Sequence, residues 1–403
     1  MNYQCPRGTG DFFGGEIRKL RKAESVFAQV LSLYGFEEIK TPVFEDTALF
    51  ERSIGEGSDI VKKQMYTFLD KSGRSLSLRP EGTAPAARAV ISGNLLTGLP
   101  KRFYYSGEMF RYERPQKDRR REFFQVGAEI FGEKSITADV EVIGICAEAF
   151  EKLKIPFSLE INSIGCSGCR GEYERVFKKW LEERITRFCS DCQERFSANP
   201  LRVLDCKKEP CRKKLESAPL FKEFLCNTCR GNFEAVCGNL SKKKIGYKIN
   251  PRLVRGLDYY NGCVFEFYSP SARDAIAAGG RYDGLVKFLG GPDVPAVGFA
   301  VGIDRVLSMI EVKDERKGYI VIGAGIAGGA LEDIAGNIRD KGKACIVSTK
   351  KKMNSSLKFA SERNLRYALL VGESELNSGS ITKKDLETGA QETVTRENFF
   401  KEL

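Results

Sequence analysis

The stretch FRYERPQKDRRREFFQ, residues 110–125, decides the fold of the first half of the chain. It joins a strand-like run at 103–111 to a second one at 122–131 through the basic segment RPQKDRRR at 114–121. Two β-rich runs separated by a short polar segment are typical of a β-hairpin. The sequence therefore predicts a hairpin with a strongly charged tip.

Side-chain alternation separates the two faces of the second predicted strand, because successive strand residues point in opposite directions. One face holds Phe124, Val126, Ala128 and Ile130, and the other holds Phe123, Gln125, Gly127, Glu129 and Phe131. The first face is apolar and is predicted to be core. The second places an acid and an amide between aromatic residues, which favours the lining of a pocket over a solvated face.

The tip of the hairpin has two open interpretations. The acidic residues there are Glu113 and Asp118. They are outnumbered by the basic residues, which are Arg111, Arg114, Lys117, Arg119, Arg120 and Arg121. Arginine suits phosphate oxygens because its planar group donates two parallel hydrogen bonds. A solvated loop would have the same composition, so the charge alone does not decide between the two.

The composition narrows the chemistry. The 403 residues correspond to about two to three domains, and the net charge of +11 suits a polyanionic partner or an ordinary solvated surface. There is no histidine in the sequence. Catalysis by Ser-His-Asp or Cys-His groups and any histidine-liganded metal are therefore excluded.

The location and the domain order follow from hydrophobic patterning. No apolar run approaches the ~20 residues of a membrane span, and residues 1–11 lack the apolar core of a signal peptide, so we expect a cytoplasmic protein without a membrane partner. Helical spacing predicts a helix at 16–34, and irregular alternation up to 312 predicts a mixed or antiparallel sheet with flanking helices.

The second half of the chain is predicted to hold an insertion and a separate domain. Residues 164–245 are rich in Cys and Lys and partly helical, with a helix expected at 172–187. A charged linker at 313–317 precedes residues 318–403, in which three strands alternate with two helices. That order predicts a small α/β domain with a parallel sheet.

Eight cysteines in the insertion have the spacing of metal ligands. They form CxxC pairs and one wider pair, and the candidates are Cys166, Cys169, Cys189, Cys192, Cys206, Cys211, Cys226 and Cys229. Paired CxxC segments favour Zn²⁺. One or two all-cysteine sites fit the spacing; redox-active pairs, or cysteines left over from an ancestral site, remain the alternatives.

Several segments resemble the class II aminoacyl-tRNA synthetases in order along the chain. The hairpin at 110–125 resembles their motif 2 in the form found in histidyl-tRNA synthetases, and GFAVGIDRVL at 298–307 resembles motif 3, a strand and a helix. LVRGLDYYNGCVFE at 253–266 is similar to the histidine-recognition segment of that family, and RPEGT at 79–83 resembles its amino-acid-binding loop. Residues 36–45 resemble motif 1.

The resemblance implies an architecture and a reaction. The architecture is an α+β catalytic domain with an antiparallel sheet and flanking helices at 1–163 and 246–312, the insertion at 164–245, and a C-terminal α/β anticodon-binding domain at 318–403. The reaction would join L-histidine to tRNA(His) by way of histidyl-adenylate. ATP would enter with Mg²⁺, structural Zn²⁺ would lie in the insertion, and the chain would form a homodimer through motif 1.

The resemblance also implies roles for individual residues. Arg111 and Arg255 would be catalytic, on opposite sides of the α-phosphate. The residues implied to bind ATP are Arg111, Glu113, Arg119, Phe123 and Arg305. Those implied to bind histidine are Glu81, Gly82, Thr83, Arg111, Gln125, Glu129, Arg255, Tyr259 and Tyr260. All of these lie outside the insertion, so adenylate formation is expected to be independent of the metal.

Three positions depart from the motif 2 pattern of the family. Asp118, Arg120 and Phe124 stand where the family usually has a small residue, an aromatic and a histidine. Asp118 and Arg120 are expected in the loop tip, where they put ATP and tRNA contacts in doubt, and Phe124 is expected to face the core.

Two alternatives to an active synthetase are a catalytically inactive paralogue with a regulatory role and a module that only binds RNA.

Overall fold

The structure is a computed structural model that describes residues 3–55, 58–115, 119–313, 315–326, 328–348, 350 and 352–403. The chain divides into two compact units, Met1–Val312 and Lys313–Leu403. Within the described residues, no helix has both the length and the apolar character to cross a membrane.

The first unit is built on a large sheet with helices. Its strands are β1 (Glu37–Glu38), β2 (Phe44–Asp46), β3 (Thr67–Leu69), β4 (Ser75–Leu78), β5 (Lys101–Phe110), β6 (Glu122–Phe131), β7 (Ser158–Ser163), β8 (Lys248–Ile249), β9 (Asn261–Tyr268), β10 (Ala277–Arg281) and β11 (Ala296–Gly302). Its helices are α1 (Gly14–Leu33), α2 (Thr47–Ile54), α3 (Thr83–Ser92), α4 (Thr137–Lys152), α5 (Ser167–Glu182), α6 (Ser190–Ala198), α7 (Glu209–Leu215), α8 (Asn227–Lys242) and α9 (Leu285–Phe288). Short 3₁₀ and π-helical turns cover Ile60–Gln64, Ile185–Arg187, Pro200–Asp205, Phe221–Glu223, Ile303–Arg305 and Leu307–Met309.

The large sheet has the strand order β1-β5-β6-β11-β10-β9-β7-β8. Its interior pairs are antiparallel, and the edge pairs β1/β5 and β7/β8 are parallel. A second, three-stranded sheet has the order β2-β4-β3. An antiparallel sheet with flanking helices was the fold class expected for this part of the chain, and it is confirmed.

The predicted hairpin at 110–125 is present as β5 and β6. The ladder begins at Phe110 opposite Glu122 and continues to Lys101 opposite Phe131. The apolar face of β6 packs into a core with α1 and α4 that includes Val126, Ala128 and Ile130. Side-chain alternation therefore located the core face correctly.

Helix α1 follows the predicted apolar spacing. Leu20, Ala23, Phe27, Val30 and Leu31 are fully buried along one stripe. The chain leaves the helix at Gly35, whose φ of 73° lies in the left-handed region that favours glycine. Burial of this stripe against the sheet, rather than helix propensity, is the main stabilising contribution.

Two predicted elements of the first unit differ from the structure. The strand expected at 36–41 is reduced to β1, whose two residues pair with β5 at the edge of the sheet before Pro42. In motif 3, β11 is followed by the 3₁₀ turn Ile303–Arg305, not by an α-helix.

The insertion packs on the sheet with an aromatic core. Tyr173, Phe177 and Phe221 are fully buried, and the rings of Tyr173 and Phe221 stack with centroids 3.8 Å apart. These residues belong to the same apolar cluster as Phe131 of β6 and Val264 of β9. The predicted helix at 172–187 is divided into α5 and a 3₁₀ turn.

The second unit has strands β12 (Tyr319–Ala324), β13 (Cys345–Val347), β14 (Tyr367–Gly372), β15 (Ser380–Asp385) and β16 (Gln391–Thr395), with helices α10 (Gly328–Asp340), α11 (Met353–Glu362), α12 (Glu373–Ser378) and α13 (Arg396–Glu402). The strand order is β13-β12-β14-β15-β16. The three predicted strands are parallel, as expected, but β15 and β16 add an antiparallel hairpin, so the sheet is mixed.

Candidate active site and cysteine clusters

A cavity of about 1190 Å³ collects most of the predicted site residues. Its lining includes Glu81, Thr83, Arg111, Glu113, Arg119, Phe123, Gln125, Arg255, Tyr259, Tyr260 and Arg305. The other two predicted residues, Gly82 and Glu129, lie beside this lining without being part of it. Residues from four separate segments of sequence therefore meet in one space.

Arginines from motifs 2 and 3 form one end of the cavity. Arg111 donates from Nε to the Pro80 carbonyl over 2.8 Å, and its guanidinium carbon lies 5.4 Å from the ring centre of Phe123. Arg119 pairs with Asp274 at 2.9 Å and approaches Glu113 at 3.5 Å. Asp274 was not predicted, because it lies in a loop outside the recognised motifs.

These arginines share a buried, positively charged environment. Burial lowers the pKa of Arg111, and the positive charge of Arg305 lowers it further. Burial likewise lowers the pKa of Arg305, and the charge of Arg119 acts in the same direction. The carboxylates of Glu113 and Asp274 offset only part of the charge of these three arginines, so this part of the cavity is suited to binding a polyanion such as a triphosphate.

Arg255 enters the cavity from the segment that precedes β9. Its Nη1 donates to Glu266 Oε1, and its guanidinium lies 5.6 Å from the ring centre of Tyr260. Burial disfavours the charged guanidinium, but the carboxylate of Glu266 raises the pKa of Arg255 above its usual value. Glu266 closes the segment recognised at 253–266 and was not predicted as a site residue, although it lies on the pocket wall.

Glu129 is fully buried and accepts three hydroxyl hydrogen bonds. Thr83 Oγ1 and the Tyr105 hydroxyl donate to Oε1 over 2.7 and 3.1 Å, and the Tyr282 hydroxyl donates to Oε2. Burial raises the pKa of Glu129 to about 8, although these three donors favour its charged form. Tyr105 and Tyr282 were missed by the sequence analysis.

Glycines make room for Glu129 and Tyr105. Gly298 lies opposite Glu129 in the β6/β11 ladder, and a Cβ atom there would lie 1.7 Å from Glu129 Oε2. The ring of Tyr105 lies against Gly82 and Gly127, where a Cβ would approach it to 2.1 and 2.3 Å. The predicted residue Gly82 therefore has a steric role in this part of the site.

Five buried polar atoms of residues that line this cavity have no hydrogen-bond partner among the described residues. They are Gln125 Oε1, the Tyr259 hydroxyl, Arg255 Nε, Arg120 Nη1 and Asp304 Oδ1. Buried polar groups are almost always paired, so unpaired donors and acceptors on a cavity wall mark positions where a polar ligand fits. Glu81 is different, because its carboxylate accepts the backbone N–H groups of Thr83 and Ala84 at 2.7 and 2.8 Å at the start of α3.

Two of the three departures from motif 2 are described by the structure. Phe124 packs edge-on against Phe12, as its core face predicted. Arg120 does not lie in a free tip: its guanidinium lies 4.6 Å from the ring centre of Phe12 and 3.8 Å from Asp304 Oδ1. Asp118, like Lys117, lies outside the described residues.

The insertion supplies one wall of the same cavity, which the sequence analysis did not predict. The contributing residues are Leu204, Asp205, Cys206, Lys207, Glu209, Arg212, Leu215 and Glu216. The sequence does not reveal this proximity, because the insertion and motif 2 are far apart along the chain and no shared motif links them.

The eight predicted cysteine ligands form two groups of four. We name Cys166, Cys169, Cys226 and Cys229 the outer cluster, and Cys189, Cys192, Cys206 and Cys211 the inner cluster. In each, the sulfur atoms all lie within 4.8 Å of one another. The pairing that the sequence left open is thus the first CxxC with the third, and the second CxxC with the wider pair.

The sulfur geometry fits a tetrahedral metal ion. With Zn–S bonds of about 2.3 Å, tetrahedral sulfurs are about 3.8 Å apart. Cys166 and Cys169 have their sulfurs 3.6 Å apart, and Cys189 and Cys206 have theirs 3.9 Å apart. Backbone N–H groups support the sulfurs: that of Cys226 donates to Cys169, and that of Cys169 lowers the pKa of Cys166 to about 7.

The antiparallel sheet, the arginine of the β5–β6 hairpin and the arginine after β11 define a class II aminoacyl-tRNA synthetase. The family described as histidyl-tRNA synthetase matches residues 8–166 and 209–306, and the family described as anticodon binding domain matches residues 320–403. The chain belongs to the histidyl-tRNA synthetase family. The resemblance inferred from the motifs is therefore confirmed.

Individual relatives agree with this assignment. A histidine–tRNA ligase of Natranaerobius thermophilus is 42% identical over 99% of this chain and 98% of that protein. The apo histidyl-tRNA synthetase of Staphylococcus aureus is 31% identical, with a TM-score of 0.83 over 100% of this chain and 99% of that one. A Bacillus halodurans structure described as an ATP phosphoribosyltransferase regulatory subunit/histidyl-tRNA synthetase shares the fold at 20% identity, with a TM-score of 0.69 over 92% of this chain and 99% of that one.

Proposed function

We propose that this chain is a histidine–tRNA ligase, which activates L-histidine with ATP and Mg²⁺ and transfers the histidyl group to tRNA(His). Family membership over nearly the whole chain supports the reaction. The observation that carries the proposal at the level of chemistry is the convergence of Arg111, Arg255 and Gln125 on one cavity beside the buried Glu129.

Activation forms one bond and breaks one. A carboxylate oxygen of histidine attacks the α-phosphorus of ATP, and the bond from that phosphorus to the bridging oxygen of pyrophosphate breaks. Negative charge builds on the α-phosphate oxygens in the transition state. Arg111 and Arg255 are proposed to stabilise it from two sides, since preorganised donors aimed at developing charge act most strongly in a buried site.

ATP is proposed to occupy the arginine-lined end of the cavity. Phe123 would stack on the adenine, while Arg305 would pair with the γ-phosphate. Glu113 and Arg119, whose side chains approach one another to 3.5 Å, would contact the nucleotide side by side. Mg²⁺ would enter with ATP and would neutralise part of the triphosphate charge.

Histidine is proposed to occupy the end near Glu129. Glu81, Thr83 and Gln125 would surround its ammonium group, with the unpaired Gln125 Oε1 as an acceptor. Glu129 and Tyr260 would face the two imidazole nitrogens, and Tyr259 would complete the wall. A carboxylate that accepts an N–H, together with a phenol, discriminates imidazole from a purely apolar ring of similar size.

The transfer step requires tRNA contacts outside this cavity. The anticodon-binding unit would hold the far end of tRNA(His). Lys350 and Lys352 of that unit are candidates for contacting tRNA phosphates. Lys351 lies outside the described residues. Exposed lysines of the insertion, Lys213 and 242–244, would face the acceptor arm.

We further propose that each cysteine cluster holds one structural Zn²⁺, giving two per chain. The four-sulfur geometry supports this assignment. Metal analysis of the purified protein should find two zinc ions per chain, and Cys192→Ser should remove one of them. Metal-free protein with all eight thiols reactive would contradict it.

A homodimer is proposed from the exposed apolar residues near motif 1. Val43, Phe44, Phe68 and Leu69 are 39%, 51%, 44% and 70% exposed, and Phe44 and Phe68 contact each other. Apolar groups gathered on one small sheet favour an interface between protein chains. Phe44→Glu should shift the mass measured by light scattering from two chains to one, and an unchanged mass would contradict the assignment.

Charging of tRNA tests the ligase activity itself. The purified full-length chain is incubated with ATP, Mg²⁺, labelled histidine and a tRNA(His) transcript, with a different tRNA transcript as the control. We expect acid-stable label on tRNA(His) alone. A chain that binds tRNA(His) and leaves it uncharged would support the RNA-binding alternative and contradict this proposal.

A further inference from the structure

The segment 255–260, RGLDYY, contains no helix or strand of its own. We name it the signature segment. It carries Arg255, Tyr259 and Tyr260 into the cavity. A loop that positions three site residues needs support from its surroundings, and the hydrogen bonds made to it show where that support lies.

The insertion provides this support through two arginines. Arg202 is 6% exposed, and its Nη2 donates to the Gly256 carbonyl and to Asp258 Oδ1, each over 3.0 Å. Arg170 donates from Nη1 to the carbonyls of Asp258 and Tyr260 over 2.9 and 3.4 Å. These bonds hold the backbone on both sides of Tyr259.

A third bond from the insertion reaches the same carboxylate. Asn199 donates from Nδ2 to Asp258 Oδ1 over 2.9 Å, beside the bond from Arg202. The other side of Asp258 lies against Gly55, where a Cβ would approach Oδ2 to 2.3 Å. Asp258 is therefore held between the end of α2 and the insertion.

Both arginines are adjacent to cysteine clusters. Arg170 directly follows Cys169 of the outer cluster, and Arg202 lies in the 3₁₀ turn Pro200–Asp205, which runs between Cys192 and Cys206 of the inner cluster. A metal ion bound to either cluster would fix the backbone that carries the arginine. Metal binding in small sites of this kind contributes directly to local folding free energy.

We propose that the two zinc-loaded clusters position the signature segment for histidine activation, acting through Arg170 and Arg202 as positioning residues. This inference rests on the proposed function and replaces the expectation that adenylate formation is independent of the metal. The cavity wall agrees with it, since Leu204, Asp205 and Cys206 of the inner-cluster region line the same space.

The test compares variants of the full-length, zinc-loaded protein in histidine-dependent exchange of pyrophosphate with ATP. Arg202→Met and Arg170→Met keep the aliphatic stem and remove the donors. The matched control is Arg184→Met, because Arg184 belongs to the same insertion but bonds to the Trp180 carbonyl, at 2.9 Å, and not to the signature segment.

We expect both variants to raise the histidine KM or lower kcat by at least about tenfold, the usual effect of losing a charged hydrogen bond. The KM for ATP should change much less, and Arg202→Lys should recover part of the activity. Arg184→Met should behave as the wild type. Because Arg170 is partly exposed, its variant tests the proposal even where Arg202→Met does not fold.

Removal of the metal gives an independent measurement. Zinc is withdrawn with a zinc-selective chelator, which is removed before Mg²⁺ and ATP are added. We expect exchange to fall and to return when Zn²⁺ is restored. Folded metal-free protein with full exchange, or folded Arg170→Met and Arg202→Met proteins with wild-type kinetics, would overturn the inference. An inactive zinc-loaded wild type would instead contradict the proposed function.

Discussion

The Thr83 hydroxyl donates a hydrogen bond to Glu129 Oε1 over 2.7 Å, which joins the start of α3 to the C-terminal half of β6. RPEGT at 79–83 and β6 are thus fixed to one another beside the cavity, where we propose that histidine binds. The bond places the buried carboxylate of Glu129, which also accepts hydrogen bonds from Tyr105 and Tyr282, next to residues that line the cavity.

Glu129→Gln should weaken histidine much more than ATP. An amide keeps the shape but cannot ionise to pair with an imidazole N–H, which costs on the order of tenfold or more in affinity. Steady-state exchange kinetics would measure both KM values. Glu122→Gln, on the same strand, is the matched control, and a histidine KM equal to that of the control would remove Glu129 from the recognition of histidine.

Glu129 should also make stability depend on pH. Its pKa rises from 4.5 in the unfolded chain to about 8 in the folded one, so the folded state binds more protons between these values. Its contribution is fully present below pH 4.5 and is lost as pH rises through 8, by at most about 1.4 kcal/mol per pH unit. Urea unfolding between pH 5 and 8 should show a steeper decline for the wild type than for Glu129→Gln, and parallel curves would contradict the assignment.

Arg255→Ala should reduce adenylate formation about 10²–10³-fold, because one preorganised donor at the α-phosphate is lost. Lys287→Ala is the control, since Lys287 is a surface residue that pairs with Asp293. Exchange rates and circular dichroism are measured together. A folded Arg255→Ala protein with near-normal exchange would show that the site has been misassigned.

Gly298→Ala should disturb the end of the site that we propose binds histidine. The added Cβ would lie 1.7 Å from Glu129 Oε2 and 2.5 Å from the Ala128 carbonyl, so the strand or the carboxylate must move. We expect a loss of about 1–3 kcal/mol in stability and a raised histidine KM. Gly144→Ala, in α4 with its nearest neighbour atom at 3.9 Å, is the control. Equal stability and KM in the two variants would refute the steric account.

The sequence predicted best where a residue's role follows from local pattern. The period of two in 122–131 identified both faces of β6, and the helical stripe identified α1. The motif resemblance predicted Arg111 and Arg255 as residues of one site. Their segments are far apart in the sequence, and both residues line the same cavity in the folded chain. The absence of histidine predicted all-cysteine groups in the insertion, and the structure gathers the eight cysteines into two groups of four.

The sequence predicted least where partners are distant and their types are common. Tyr105 and Tyr282 reach Glu129 from other strands or turns, and a tyrosine in a strand carries no mark of its hydrogen-bond acceptor. Arg202 and Asp258 are 56 residues apart, so only the packing of the insertion reveals their contact. The short motif 3 turn and the β15–β16 hairpin were missed because tertiary pairing, not local propensity, decides them.

The most direct test of the central claim is exchange of labelled pyrophosphate into ATP by the full-length chain, with each amino acid supplied in turn and without tRNA. The account predicts exchange with L-histidine and only background exchange with the others, because the arginines would bind the triphosphate and the pocket around Glu129 would accept imidazole. Exchange that is absent with histidine, or equal with another amino acid, from protein that is folded and zinc-loaded would contradict it.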